Sequence, residues 1–132
     1  MSGALILDSE SLAKAVQRDP EVHEWLTAAR DADLPVSTSA AVLVEVIHSR
    51  INDAALKWTL SRLRVEPVTQ ALAQSATALL HAAGLHGHKY AIDAMLCASA
   101  LAQPGRVTIL TSDVEDITML TTDHPRVIAE KI

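Results

Sequence analysis

Four strongly apolar stretches of this chain are each broken by acids: "LILDSE" at residues 5–10, "LVEV" at 43–46, "AIDAM" at 91–95 and "TSDVED" at 111–116. The acids concerned are Asp8, Glu45, Asp93, Asp113 and Asp116. Burying an unpaired carboxylate is costly, and carboxylates gathered at one edge repel one another unless a cation sits among them. The chemistry such a set can do is therefore that of a metal site. Each acid also has a structural reading. Asp8 can cap the helix that follows Ser9, and Asp113 can be an N-cap with Asp116 three residues on. Asp93 can be a first-turn acid favoured by the helix dipole. Glu45 shares a helical face with Ala41 and His48, at the border of a buried helix, where it is solvated or paired with Arg50. None of these readings explains why all the acids interrupt apolar sequence.

The elements that must position these acids alternate between strand and helix. Residues 4–7, 34–38, 63–68, 106–112 and 126–130 read as strands. Helical patterns run from Ser9, from Pro20, from Ser39 to Arg50, on to about Ser61, over 69–83, over 89–101 and from Asp113. Residues 84–88, "GLHGH", read as a loop. The strands are unbroken apolar runs, which predicts a parallel sheet covered by helices on both faces, an α/β fold formed by one domain over residues 1–132. In such sheets ligands sit outside the carboxyl ends of the strands, where strand order reverses. Asp8 follows "ALIL" and Asp113 follows "VTILTS", so both belong on that edge.

Composition narrows the class. The chain of 132 residues is 49% hydrophobic but has no Phe and only 2% aromatic residues, so its core must be aliphatic. Cys97 is the single cysteine and cannot form an internal disulfide; the N-terminus meets acid after a few apolar residues, which leaves no signal peptide or membrane span. A cytoplasmic protein with no membrane association is expected. The net charge of −5 argues against a partner bound mainly through phosphate charge, although acids concentrated at a metal site reconcile the charge with a nucleic-acid substrate.

The ordered acids resemble those of the PIN-domain family, in particular its small single-domain toxins of the VapC type. Asp8 lies in "LILDSES", Glu45 in "AAVLVEVIHSR", Asp93 in "KYAIDAMLCASAL", and Asp113 with Asp116 in "ILTSDVEDI". Ser9 matches the small hydroxyl residue after the first acid and Ser112 the hydroxyl residue before Asp113. Glu10 departs from the pattern, since a small or amide side chain is commoner there. The resemblance covers essentially the whole chain. It implies a PIN-like three-layer sandwich, a metal-dependent endoribonuclease acting on RNA, a homodimer, and a small cognate antitoxin protein that holds the enzyme inactive.

The residue chemistry agrees with that implication. Mg²⁺ and Mn²⁺ take oxygen ligands, so carboxylates without Cys suit them better than zinc. Asp8, Asp93 and Asp113 are assigned as metal ligands, with Glu45 and Asp116 orienting water or substrate and Ser9 and Ser112 supplying hydroxyl support. Lys89 and Tyr90, just ahead of Asp93, are weaker candidates for substrate contact. His86 and His88 fit a solvated loop, Cys97 fits core packing, Trp25 and Trp58 are candidates for an interface, and Arg50, Lys57, Arg62 and Arg64 for a basic margin. Two rivals remain: a catalytically silent PIN-like module that binds RNA or protein, and a phosphoacceptor receiver domain. The latter requires an Asp after its middle strand, where this chain has Glu66 and Pro67.

Overall fold

The computed structural model describes residues 3–132. Five strands, β1 (Gly3–Leu7), β2 (Val36–Ser39), β3 (Arg64–Glu66), β4 (Arg106–Thr111) and β5 (Val127–Lys131), form one wholly parallel sheet in the order β3-β2-β1-β4-β5. β1 lies at its centre and pairs with β4 from Gly3 opposite Arg106 to Leu7 opposite Leu110. The chain builds outward from β1 through β2 to β3, then returns across the sheet to start β4. Strand order therefore reverses between β1 and β4, and a crevice opens beyond their carboxyl ends. A receiver domain runs 2-1-3-4-5 instead, so the observed order excludes that rival.

The helices are α1 (Ser9–Val16), α2 (Pro20–Asp31), α3 (Leu43–Val46), α4 (Asp53–Ser61), α5 (Gln70–Ala83), α6 (Gly87–Leu101) and α7 (Val114–Leu120). α1 packs against α2, α3 and α4, while α5, α6 and α7 pack against one another; the right-handed rule for parallel crossovers puts these two groups on opposite faces of the sheet, the three layers of a PIN-like fold. Burial follows from sequence: Leu5, Ile6 and Leu7 of β1 and Ile109 and Leu110 of β4 are enclosed because helices cover both faces. Caps set several helix starts, with Asp19 accepting from Val22 N ahead of Pro20 and Thr69 accepting from Leu72 N. Gly84 ends α5 at φ +66°, a left-handed conformation that suits glycine. No helix among the described residues is long and apolar enough to cross a membrane.

Three elements differ from the pattern expected of the sequence. The helix expected over 39–50 is a 3₁₀ turn (Ala40–Val42) followed by the single turn of α3. Ile47 is extended, at φ −78° and ψ 115°, and the Arg50 amide donates to His48 Nδ1, so local hydrogen bonds replace helical ones. The strand expected over 63–68 holds only three residues, because Pro67 ends it at a sheet edge. α6 starts at Gly87, so His88 stands in the helix rather than in a loop, and Asp93 lies beyond the first turn.

Cys97 is fully buried on α6, and burial, with a smaller contribution from the Asp93 charge, pushes its thiol up to about 12. The native protein is expected to leave Cys97 unlabelled by a thiol reagent at pH 8, with labelling appearing only in denaturant. Rapid labelling of folded protein would contradict this burial.

Candidate metal centre

The crevice beyond β1 and β4 collects the five acids from five different elements. Asp8 leaves the end of β1, Asp113 stands two residues past β4, Asp116 lies in the first turn of α7, Asp93 comes from the second turn of α6, and Glu45 from α3. Carboxylate oxygens of Asp93, Asp113 and Asp116 lie within 4.8 Å of one another. Asp8 is not one of that group of three. Its Oδ1 accepts from Ser11 N at 2.9 Å and from Ser11 Oγ at 3.0 Å, which makes it the N-cap of α1. The metal ligands assigned from sequence were Asp8, Asp93 and Asp113; the tightest geometric group holds Asp116 where that assignment had Asp8.

The structural readings of the acids divide accordingly. Asp8 does cap its helix. Asp113 occupies the N-cap position of α7, but its side chain makes no capping hydrogen bond. No acid occupies the first turn of α6, so a dipole role does not account for Asp93. Glu45 is exposed and accepts a hydrogen bond from Ser9 Oγ, and no ion pair with Arg50 forms among the described residues.

Electrostatics show how closely the acids converge. Desolvation by burial, followed by the charges of Asp8, Asp116, Asp113 and Glu45, raises the Asp93 carboxyl from 3.8 to about 6. Asp93 thus feels all four other acids. The Asp8 carboxyl is also raised, because desolvation outweighs hydrogen bonds from the Ser11 amide, the Thr111 hydroxyl and the Ser11 hydroxyl, and the Glu10 charge adds to the rise. Asp8 and Asp93, partly desolvated and with raised affinity for protons, have the same demand for a divalent cation. The site's donors are all oxygen, and Cys97, one turn from Asp93, is sealed in the core. This donor set fits Mg²⁺ or Mn²⁺ better than a thiolate-seeking metal.

Supporting groups surround the acids. Ser9 positions Glu45, whereas the Ser112 side chain is exposed and its backbone carbonyl accepts from Lys131 Nζ at 3.0 Å. Two supporting residues escaped the sequence reading. Ser11 holds Asp8 and also donates to the Leu110 carbonyl at 2.8 Å, tying the end of β1 to β4; buried Thr111 accepts from the Asp113 amide at 2.8 Å. The spacing Asp8-x-x-Ser11 was a legible capping signal for the first. Lys89 Nζ stands 5.2 Å from the centroid of the Tyr90 ring, so these two weaker candidates meet each other at the start of α6. Trp25 packs against the core and Trp58 is half-exposed.

No sequence-family model and no curated protein matches the chain. Solved structures do. The chain is similar to one in VapBC2 from Rickettsia felis bound to a DNA fragment from its promoter, with TM-score 0.69, 17% identity and 98% of each chain covered. A toxin–antitoxin complex from Klebsiella pneumoniae gives 0.67 at 19% identity, covering 98% of this chain and 100% of that one. FitAB bound to an IR36 DNA fragment gives 0.65 at 19% identity, covering 96% and 94%. Over nearly its whole length, this chain has the PIN-like fold found in these toxin–antitoxin structures.

Proposed function

We infer that the chain is a Mg²⁺- or Mn²⁺-dependent endoribonuclease, the toxin of a toxin–antitoxin pair. The observation that carries this reading is the convergence of Asp93, Asp113 and Asp116, with Asp8 and Glu45 around them, at the switch point of the parallel sheet. Asp93, Asp113 and Asp116 would hold the cation, with Asp8 adding negative charge from behind. A divalent cation bound there supplies a Lewis acid for the scissile phosphate and for the attacking water. Asp93 must give up its proton for the site to load. Glu45, exposed and held by Ser9 Oγ, is placed to orient water or to take a proton at its free carboxylate oxygen. Thr111 fixes the backbone of Asp113, and Ser11 fixes Asp8. The test is cleavage of single-stranded and structured RNA by purified protein. Activity is expected with Mg²⁺ or Mn²⁺ and its loss on chelation; undiminished cleavage in chelator would refute the metal-dependent mechanism.

The similar structures are toxin–antitoxin complexes, which supports a small antitoxin protein as partner and inhibitor of this chain, encoded by a short neighbouring reading frame. We infer a homodimer as well. Apolar side chains left at the surface, Val44 at 80% exposure and Ile47 at 50% among them, support an apolar contact between copies. Light scattering at micromolar concentration is expected to give twice the chain mass, and a monomer there would overturn the assignment.

A further inference from the structure

Two open grooves run along the helical face formed by α1 to α4, and both are lined by Arg18 and Trp58. The first, of about 1010 Å³, begins at Ser9, Glu10 and Glu45 beside the metal centre and passes Arg50 on the way to Trp58. The second, of about 580 Å³, continues from Trp58 past Arg30, Arg62 and Arg64. A chain with net charge −5 and only 11 basic residues has thus placed five arginines along one path, against Glu10 and Glu45 at its metal end and Asp19 and Asp33 beyond Trp58. Asp19 is already engaged as the N-cap of α2.

Where the grooves meet, the indole of Trp58 is 50% exposed, with the guanidinium of Arg62 4.9 Å and that of Arg18 5.6 Å from its ring centroid. Arg18 reaches this position from a left-handed backbone, φ +60°, just after α1. This is a left-handed helix ending, with the Arg18 amide donating to the Ala15 carbonyl and the Asp19 amide to the Lys14 carbonyl, as Asp33 ends α2 at φ +57°; glycine is the residue it favours, so Arg18 holds it at a small cost in backbone strain.

We propose that Trp58, flanked by Arg18 and Arg62, is a nucleobase-stacking platform that binds the RNA substrate along the groove leading from the scissile phosphate. The proposal rests on the ribonuclease reading above. Single-stranded RNA is the occupant whose chemistry both ends of the path require: a phosphodiester beside the acids, and a flat base with flanking phosphates beside an indole and arginines. Stacking of this kind tolerates many bases, while the arginines hold the backbone on either side.

The test uses Asp93→Asn protein throughout, so that RNA binds without being cut. Binding of a short fluorescein-labelled single-stranded RNA, and of an abasic strand of equal length, is followed by fluorescence anisotropy. Adding Trp58→Ala is expected to weaken RNA binding about tenfold, whereas Trp58→Phe stays close to the Trp58 protein, and the abasic strand binds all three alike. Arg18→Gly is expected to raise the melting temperature, since the strain is relieved, and to weaken RNA binding severalfold. Melting curves verify that each variant is folded. Unchanged RNA affinity in Trp58→Ala, or an equal loss on the abasic strand, overturns the stacking platform and leaves the ribonuclease reading standing. If the protein binds no RNA even with Trp58 intact, both readings fall. A Trp58→Ala effect confined to binding of a protein partner would identify the groove as a protein-docking surface and overturn the proposal.

Discussion

Replacing Asp93 by Asn is expected to lower RNA cleavage by about a hundredfold or more, while the protein remains folded. A bound cation contributes several kcal/mol of charge stabilisation, and Asp93 lies at the meeting point of the acids that would hold it. Asn keeps the shape of the side chain but removes its charge. The same residue sets a pH dependence. Its carboxyl is raised to about 6, so at limiting Mn²⁺ protons compete with the cation, and the rate should climb as pH rises through about 6. More Mn²⁺ should move the midpoint to lower pH, because the cation stabilises the carboxylate. The midpoint belongs to the interacting group of acids and not to Asp93 alone. Rate profiles at two Mn²⁺ concentrations measure this, and cleavage by Asp93→Asn at the parental rate would remove Asp93 from the mechanism.

Much of this arrangement could be read from residue types. The largely apolar β1 and β4 announced a parallel sheet, and the acids following them announced the functional edge. What could not be read was the competition of each side chain for local partners. The apolar pattern of 39–50 is helical in period, yet the Ile47 backbone and the His48 ring break the helix after one turn. "GLHGH" has the composition of a loop, but packing of the apolar residues beyond it draws Gly87 and His88 into α6, which shifts Asp93 out of the first turn. That Asp116 stands within 4.8 Å of Asp93 and Asp113, and that Ser11 holds one oxygen of Asp8 as a helix cap, is visible only once α1 and α7 are built. Trp58 is a similar case. Its neighbour Arg62 is one turn away in sequence, but Arg18 arrives from the turn between α1 and α2.

The raised Asp93 carboxyl also makes the metal-free fold sensitive to pH, in a direction that separates a metal ligand from a structural acid. Between 3.8 and about 6 the folded protein binds the Asp93 proton and the unfolded chain does not. Stability contributed by this group is therefore fully present below pH 4 and is lost as pH rises through 6. The loss is on the order of 2 kcal/mol, from a shift of about two pKa units at about 1.4 kcal/mol each, reduced because Asp93 is only partly buried. Asn cannot ionise, so in chelator at pH 7 the Asp93→Asn protein should melt several degrees above the parent, and near pH 4 the two should melt together. Mn²⁺ should reverse the order at pH 7, raising the parent's melting temperature more than the variant's, because the cation binds only the folded state and binds the parent more tightly. A helix-stabilising carboxylate predicts the opposite: its loss would destabilise the protein by up to about 1 kcal/mol, with no response to metal. Four melting curves decide between them. A variant less stable than the parent in chelator, with an equal response to Mn²⁺, would make Asp93 a structural residue and move the centre of the site to the remaining acids.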